Sequence, residues 1–244
     1  MKALIHSILF IRQLLFFVYA MFVVVGFGTI SPLLVFLRVP LAIRIRMPHF
    51  WAVIWKIGIF CILWVRFEVK GKENIPKHPC IYICKHQSQL ETFFLNYILP
   101  RAVYVFKKEL LSVPFLGWGL KATGSIPIDR TQGVKSLKDV VKQGKQRLKD
   151  GISIIIFPEG TRSKPGEHPK FHKSGLMLAN SSNGDVVLVA HNSGSVMLPD
   201  SKLVLPKKIT VVIHKPINAK DFTLDELNEY SYNWIKEQMQ QLEK

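Results

Sequence analysis

The chain has 244 residues, 48% of them hydrophobic, with 33 Lys and Arg against 17 Asp and Glu, a formal net charge of +16. Length confines it to one or two domains, and an odd cysteine count (Cys61, Cys80, Cys84) excludes a closed disulfide framework. The basic excess points to an anionic partner: a membrane surface, an acidic protein or nucleic acid.

The apolar residues are unevenly spread. Residues 1–65 are overwhelmingly apolar and are expected to form membrane-anchoring helices; residues 66–244 read as an α/β domain. The second part, roughly 180 residues, suffices for one good core. Gln13–Leu37, "QLLFFVYAMFVVVGFGTISPLLVFL", holds no charge and is long enough to cross a bilayer. Lys2 and Arg12 precede it, as in a signal peptide, but the run is too long for an h-region and no A-x-A-like site follows. A retained anchor is expected. The run Phe50–Val65 is shorter and contains Lys56 and three tryptophans, which suit the lipid–water boundary. The connector carries Arg38, Arg44 and Arg46. Two crossings would place it opposite the main domain, against the positive-inside rule. The second run is therefore expected to lie in the interface with its lysine snorkelling. The alternative is a pair of buried helices packed on the soluble domain.

Past Arg66, "RFEVKG" reads as a strand, "ENIPKHP" as a turn-rich connection, and "CIYICKH" as an apolar strand ending at His86. "ETFFLNYIL" is helical up to Pro100, and "AVYVFKK" is a strand. "GVKSLKDVVKQGKQRLKDG" places Val134, Leu137, Val141 and Leu148 on one helical face. "ISIIIFPEGTRS" is a buried strand running into a turn, "DVVLVAHNSG" and "KKITVVIHKPI" are further strands, and Leu224–Leu242 is a terminal helix. This alternation predicts a mixed, partly parallel sheet flanked by helices, with ligands beyond the carboxyl ends of the strands. Cys80 and Cys84 share a strand face near His86 but match no zinc spacing. They read as small buried residues, and no metal is expected.

Three connections carry unusual polar residues: "KHQSQLE", "GSIPIDR" and "FPEGTRS". His86 and Glu91 are five apart, which on one helix separates them by about 140°. Ser88 and Glu91, however, form an S-x-x-E capping box. If the helix starts at Ser88, His86 lies in the preceding loop and can fold back on Glu91. A carboxylate on one imidazole nitrogen fixes the tautomer and favours the cation formed when the other nitrogen takes a proton. No nucleophilic serine is needed where the substrate brings its own hydroxyl. The plainer reading makes Glu91 a helix cap and His86 a solvent-facing loop residue. In "FPEGTRS", Gly160 permits a tight turn with exposed N–H groups, and Arg162 offers a fork suited to phosphate. Glu159 is available to bind a hydroxyl or to hold Arg162. Arg130 follows Asp129 and is either a second cation or half of a surface ion pair. Lys170 and Lys173 in "PKFHKSG" add charge before a helix start, or belong to a solvated basic face.

These three blocks resemble those of the PlsC family of glycerolipid acyltransferases, the lysophosphatidic acid type, over roughly Phe67 to Pro216. The resemblance implies acyl transfer from acyl-CoA or acyl-acyl carrier protein to a lipid hydroxyl, with no cofactor. Lysophosphatidic acid is the expected acceptor, and glycerol-3-phosphate or another lysolipid are alternatives. It implies His86 as general base, and Arg130 with Glu159, Gly160, Thr161 and Arg162 around the acceptor phosphate. Two positions depart from the family pattern: Glu91 stands where an aspartate is usual, and Leu188 where the fourth block often has proline. The expected partners are membrane lipids and the thioester donor, which a +16 surface would attract. The expected place is a membrane, the bacterial inner one, with the site on its cytoplasmic side. A non-catalytic module for anionic lipids accounts for charge and anchor but not for His86 and Glu91. A thioester hydrolase leaves the phosphate-like loops without purpose. Nucleic acid is not expected, because the aromatics cluster in the apolar front end rather than among the basic residues.

Overall fold

A computed structural model describes residues 2–182, 184–204 and 208–244. Its helices are α1 (Lys2–Phe36), α2 (Leu41–Arg44), α3 (Met47–Cys61), α4 (Leu90–Ile98), α5 (Leu116–Ala122), α6 (Gly133–Lys149), α7 (Lys173–Ser182) and α8 (Leu224–Leu242). Its strands are β1 (Arg66–Lys70), β2 (Ile81–Cys84), β3 (Ala102–Lys107), β4 (Ile126–Ile128), β5 (Ser153–Ile156), β6 (Asp185–His191), β7 (Lys208–Ile213) and β8 (Ile217–Asn218). The final helix and most strands match the sequence reading. Lys207, the start of "KKITVVIHKPI", lies outside the described residues.

The sheet order is β1-β7-β6-β2-β5-β3-β4, with β8 on β6. The run β6-β2-β5-β3-β4 is parallel throughout, and β7 and β8 pair antiparallel with β6. Alternation along β2 assigns its two faces to two cores. Cys80, Tyr82 and Cys84 pack with α1, α3 and α4, while Ile81 and Ile83 pack with α6, α7 and α8. A strand buried on both sides reads as a continuous apolar run, as "CIYIC" does.

The apolar front end joins the first of these cores. Phe16 and Val23 of α1, and Trp55 and Ile59 of α3, are buried with the sheet residues, and Trp55 stacks on Phe93 of α4 at 3.7 Å. The outer faces stay apolar and open, with Phe22 and Leu33 on α1 and Phe50, Ile57 and Phe60 on α3. The run His6–Phe36 is long and apolar enough to cross a membrane. One face of each helix thus serves the domain, and the other is apolar and open.

Three details differ from the sequence reading. The helix after His86 begins at Leu90, with Gln89 as N-cap, because Ser88 Oγ bonds to the Leu90 N–H and to the Glu91 side chain rather than to the Glu91 N–H. Half of the expected capping box is therefore missing, whereas Thr223 and Glu226 form a complete one on α8. On α6, Val134 is 66% exposed while Ser136, Val140 and Gly144 are buried. The buried stripe is turned by Gly144, which lies against Leu178 of α7 and leaves no room for a side chain. The short helix α5, in "FLGWGLKAT", carries no periodic signal in the sequence.

Gly58 marks how closely α1 and α3 approach: a Cβ there would lie 2.2 Å from the Tyr19 ring, whose hydroxyl is tied to Ile54 O. Gly58→Ala is expected to lower stability by about 1–3 kcal/mol through overpacking. A reduced thermal midpoint of the detergent-solubilised protein checks this, since Ala alone would favour a helix over Gly.

Candidate active site

Parallel pairing decides which loops meet. Ile83 of β2 is in register with Ile156 of β5, and Cys84 with Val189 of β6. On the far side, Lys107 at the end of β3 is in register with Ile128 of β4. The connections that leave the carboxyl ends of β2, β5, β6 and β4 therefore gather at one edge. They deliver His86, the turn from Pro158 to Arg162, Ser193 and Arg130.

His86 and Glu91 do meet: Nδ1 lies 2.8 Å from Glu91 Oε1. The Glu91 side chain is 0% exposed, yet its oxygens are surrounded by donors. Oε1 accepts from the Gln87 N–H at 2.7 Å and the Ser88 N–H at 2.9 Å; Oε2 accepts from the Ser88 and Ser193 hydroxyls at 2.8 and 2.7 Å. Burial pushes this carboxyl up, but the bonds from His86 and Ser193 and the neighbouring imidazoles outweigh it and hold it well below the ordinary range. An ionised carboxylate only accepts, so the Nδ1 facing it carries the proton, and in the neutral ring Nε2 is the nitrogen with the free lone pair. The ring is steadied by stacking on Phe157 at 4.1 Å.

A second buried acid lies behind the histidine. Glu159 pairs with Lys85 at 3.0 Å, both nearly inaccessible. Its carboxylate also accepts from the Ser163 hydroxyl at 2.8 Å and the His86 N–H at 3.3 Å. Burial lifts the Glu159 carboxyl, and Lys85 and these bonds pull it back only in part. Lys85 further donates to Ser163 Oγ at 2.6 Å, and the Ser163 N–H bonds to His86 O at 3.0 Å. The loops after β2 and β5 are thereby tied together through their inner sides.

A cavity of about 1240 Å³ opens in front of them. Its walls are largely apolar, from Phe16, Val24 and Trp51 on the front-end helices to Leu120 and Val140. Its polar end holds His86, Arg130, Gly160, Thr161 and Arg162. Gly160 sits at φ +69°, and a Cβ there would be 3.0 Å from an Arg130 nitrogen, which donates to Gly160 O at 2.6 Å. Glycine is needed both for the turn and for this approach. Arg162 Nε is buried with no hydrogen-bond partner among the described residues.

The remaining candidates fall elsewhere. Glu159 does not line the cavity and does not hold Arg162; its oxygens are taken by Lys85, Ser163 and the backbone. Lys173 pairs with Asp225 of α8 at 2.7 Å, and Lys170 is exposed and away from the cavity wall. Cys80 and Cys84 are packed in the core, where burial pushes both thiols up, Cys80 to about 11. Several contributors were not singled out from the sequence. Lys107 lines the cavity while its neighbour Lys108 is held by Asp129 at 3.1 Å. Ser193 follows a buried strand in "VVLVAHNSG", and that position was its one available signal. Gln87 is held by Glu243 at 2.6 Å, near the other end of the chain, a pairing no local pattern announces.

An apolar chamber closed at one end by an oriented imidazole and guanidinium groups fits group transfer to an amphiphile with an anionic head. Comparison with known proteins gives the same class. The family model described as Acyltransferase matches residues 66–192. The 1-acyl-sn-glycerol-3-phosphate acyltransferase of Pseudomonas aeruginosa is 40% identical over 181 residues, 73% of this chain and 70% of that protein. The Saccharomyces cerevisiae protein of the same name is 33% identical over 177 residues, 70% of this chain and 58% of that protein. The crystal structure of the 1-acyl-sn-glycerophosphate (LPA) acyltransferase PlsC from Thermotoga maritima superposes with a TM-score of 0.78 at 24% identity, covering 96% of this chain and 95% of that one. The chain belongs to the acyltransferase family and has the PlsC-like fold. It is an O-acyltransferase.

Glu91→Gln tests the carboxylate. An amide presents two donors where five groups donate, so a loss of about 1–3 kcal/mol is expected from unsatisfied bonds. The sign with pH follows from the depressed carboxyl. Its stabilisation is fully present above the unfolded value of about 4.3 and is lost as pH falls below it, because only the unfolded chain then takes up the proton. The thermal midpoint of Glu91→Gln is therefore expected to fall less steeply than that of the native protein between pH 5 and pH 3.

Proposed function

We propose that the protein transfers a fatty acyl group from acyl-CoA or acyl-acyl carrier protein to the free hydroxyl of 1-acyl-sn-glycerol-3-phosphate, giving phosphatidic acid. The observation that carries this reading is the cavity in which an oriented imidazole and two arginines share the polar end of an apolar chamber. The names of the relatives support the acceptor.

In this reading the acceptor phosphate lies against Arg162 and Arg130 and the Gly160–Thr161 turn, where charge-assisted bonds position it. Lys107 adds charge at the same wall. The acyl chains lie along the apolar walls. His86 Nε2 takes the proton of the acceptor hydroxyl as its oxygen attacks the thioester carbonyl. The imidazolium that forms faces the Glu91 carboxylate, which stabilises it. The attack forms the new carbon–oxygen bond; collapse of the adduct restores the carbonyl, breaks the carbon–sulfur bond, and His86 passes its proton to the departing thiolate. Glu159 acts indirectly, by holding the backbone of His86. The apolar helices anchor the enzyme in a membrane with the site on the cytoplasmic side, where thioester donors are soluble. Lipid acceptor and membrane-bound product then need not leave the bilayer fully.

His86→Ala is expected to lower turnover by about 10²–10⁴-fold with membrane association retained. Retention of more than a tenth of the activity, measured with purified enzyme in phospholipid vesicles, would exclude His86 as the base. Arg162→Ala is expected to raise the KM for the phosphorylated acceptor, by a factor corresponding to about 1.5–3 kcal/mol. A raised donor KM with an unchanged acceptor KM would assign the turn to the thioester instead. Running both assays with 1-acyl-sn-glycerol-3-phosphate and glycerol-3-phosphate, and with both donors, tests the named substrates.

A further inference from the structure

Beyond the front-end helices and the short stretch that follows them, few large hydrophobic side chains remain open to solvent. Among the described residues they are Leu110, Val113, Trp118, Val134 and Tyr230. Three of these five fall within the connection from β3 to β4, where Leu110 is 36%, Val113 41% and Trp118 47% exposed. The connection runs from Lys108 through α5 to Ala122.

The segment is firmly joined to α1. A Cβ on Gly28 would lie 2.3 Å from the Phe115 backbone, and one on Gly119 2.2 Å from the Phe27 ring. Phe115 adopts φ +63° to make this turn, and its ring meets Trp118 edge-on at 5.0 Å. Arg44 of α2 holds the other end through Ala122 O. Near the Gly28 contact, α1 is itself apolar and open at Phe22, Ile30 and Leu33. The exposed apolar side chains of the connection therefore continue those of the anchor helix. Charge agrees: Lys121 flanks the apolar residues and is exposed, Glu109 is the one acid from 107 to 122, and at the other end Lys108 is held by Asp129 while Lys107 lines the cavity.

We propose that residues 108–122 form a third membrane contact, seated in the headgroup region of an anionic bilayer. Val113 and Trp118 enter the lipid, and exposed Lys121 faces its phosphates. An amphipathic tryptophan between apolar and basic residues suits that depth, and apolar insertion and anionic attraction add together. Leu110, Leu116 and Leu120 of the same segment line the cavity. Seating it in the bilayer places that wall of the cavity at the lipid, where an amphiphilic acceptor enters. The inference rests on the membrane reading of residues 1–65 and adds a contact from outside them.

The test uses the full chain with exposed Cys61 replaced by serine, reconstituted in vesicles of phosphatidylethanolamine and phosphatidylglycerol. A polarity-sensitive dye is attached in turn through Trp118→Cys, Phe60→Cys on α3 and Glu237→Cys on α8, and quenching by brominated lipid is measured. Quenching at 118 comparable to that at 60, with none at 237, is the expected result. A dye at 118 that is no more quenched than the one at 237 overturns the third contact; if 60 is still quenched, the anchor stands without it. Trp118→Gln gives a functional readout, because Trp118 is not part of the cavity wall. The apparent KM for acceptor presented in vesicles is expected to rise by about three- to tenfold, with no change for acceptor in dilute detergent micelles. An equal change in both presentations, or none in either, would overturn a role in lipid contact.

Discussion

The buried pair Lys85–Glu159 is the interaction on which the site depends. Each ion has left water, and each has several partners: Glu159 holds the Ser163 hydroxyl and the His86 N–H, and Lys85 reaches Ser163 Oγ and Glu167 O. Such a pair is no strong source of net stability, since desolvation offsets much of the attraction. Its effect is geometric. It joins the loop that carries the imidazole to the loop that carries the guanidinium, from the side away from the cavity. Removing either ion would leave the other unpaired in the interior, which is strongly destabilising.

Around that pair the site is built from two carboxylates in different surroundings. Glu91 is surrounded by donors and held ionised, so it can orient an imidazole and stabilise its cation. Glu159 is raised by burial and offset by an ammonium. The similar side chains are separated in role by what surrounds them, not by what they are. The glutamate at position 91, where the family usually has aspartate, reaches His86 without strain in the pairing distance. The chain between them is not yet helical at Ser88, and both backbone N–H groups of Gln87 and Ser88 turn toward the longer side chain.

The front-end helices perform two tasks with two faces. Trp55, Phe16 and Val23 complete the core on one side of the sheet, while the outward residues remain apolar and open. The helices also contribute a wall of the cavity through Phe16, Val24 and Trp51. Core packing and the wall of the cavity are therefore coupled in these helices, and a cut at residue 65 would remove part of both.

Much of this was legible in the sequence because it is local. The apolar runs, the strand alternation, the terminal helix and the blocks containing His86, Arg130 and Arg162 each carry their signal within a few residues. The parallel sheet followed from the alternation of elements, and the His86–Glu91 contact from the helix start between them. Other features depend on neighbours that the sequence does not order. The turned face of α6 depends on Leu178 meeting Gly144, and the assignment of Lys173 on Asp225. In the sequence Glu159 reads as a ligand because it stands in the "FPEGTRS" turn beside Arg162; only the register of β5 beside β2 shows that its side chain points inward to Lys85. Ser193 and Glu243 reach the loop around His86 from more than a hundred residues away. Sequence by itself determined which chemical groups were available and on which loops. Tertiary structure decided which of them face the cavity and which are spent holding the others, because burial and partner choice are properties of strand register and helix packing, not of the local pattern.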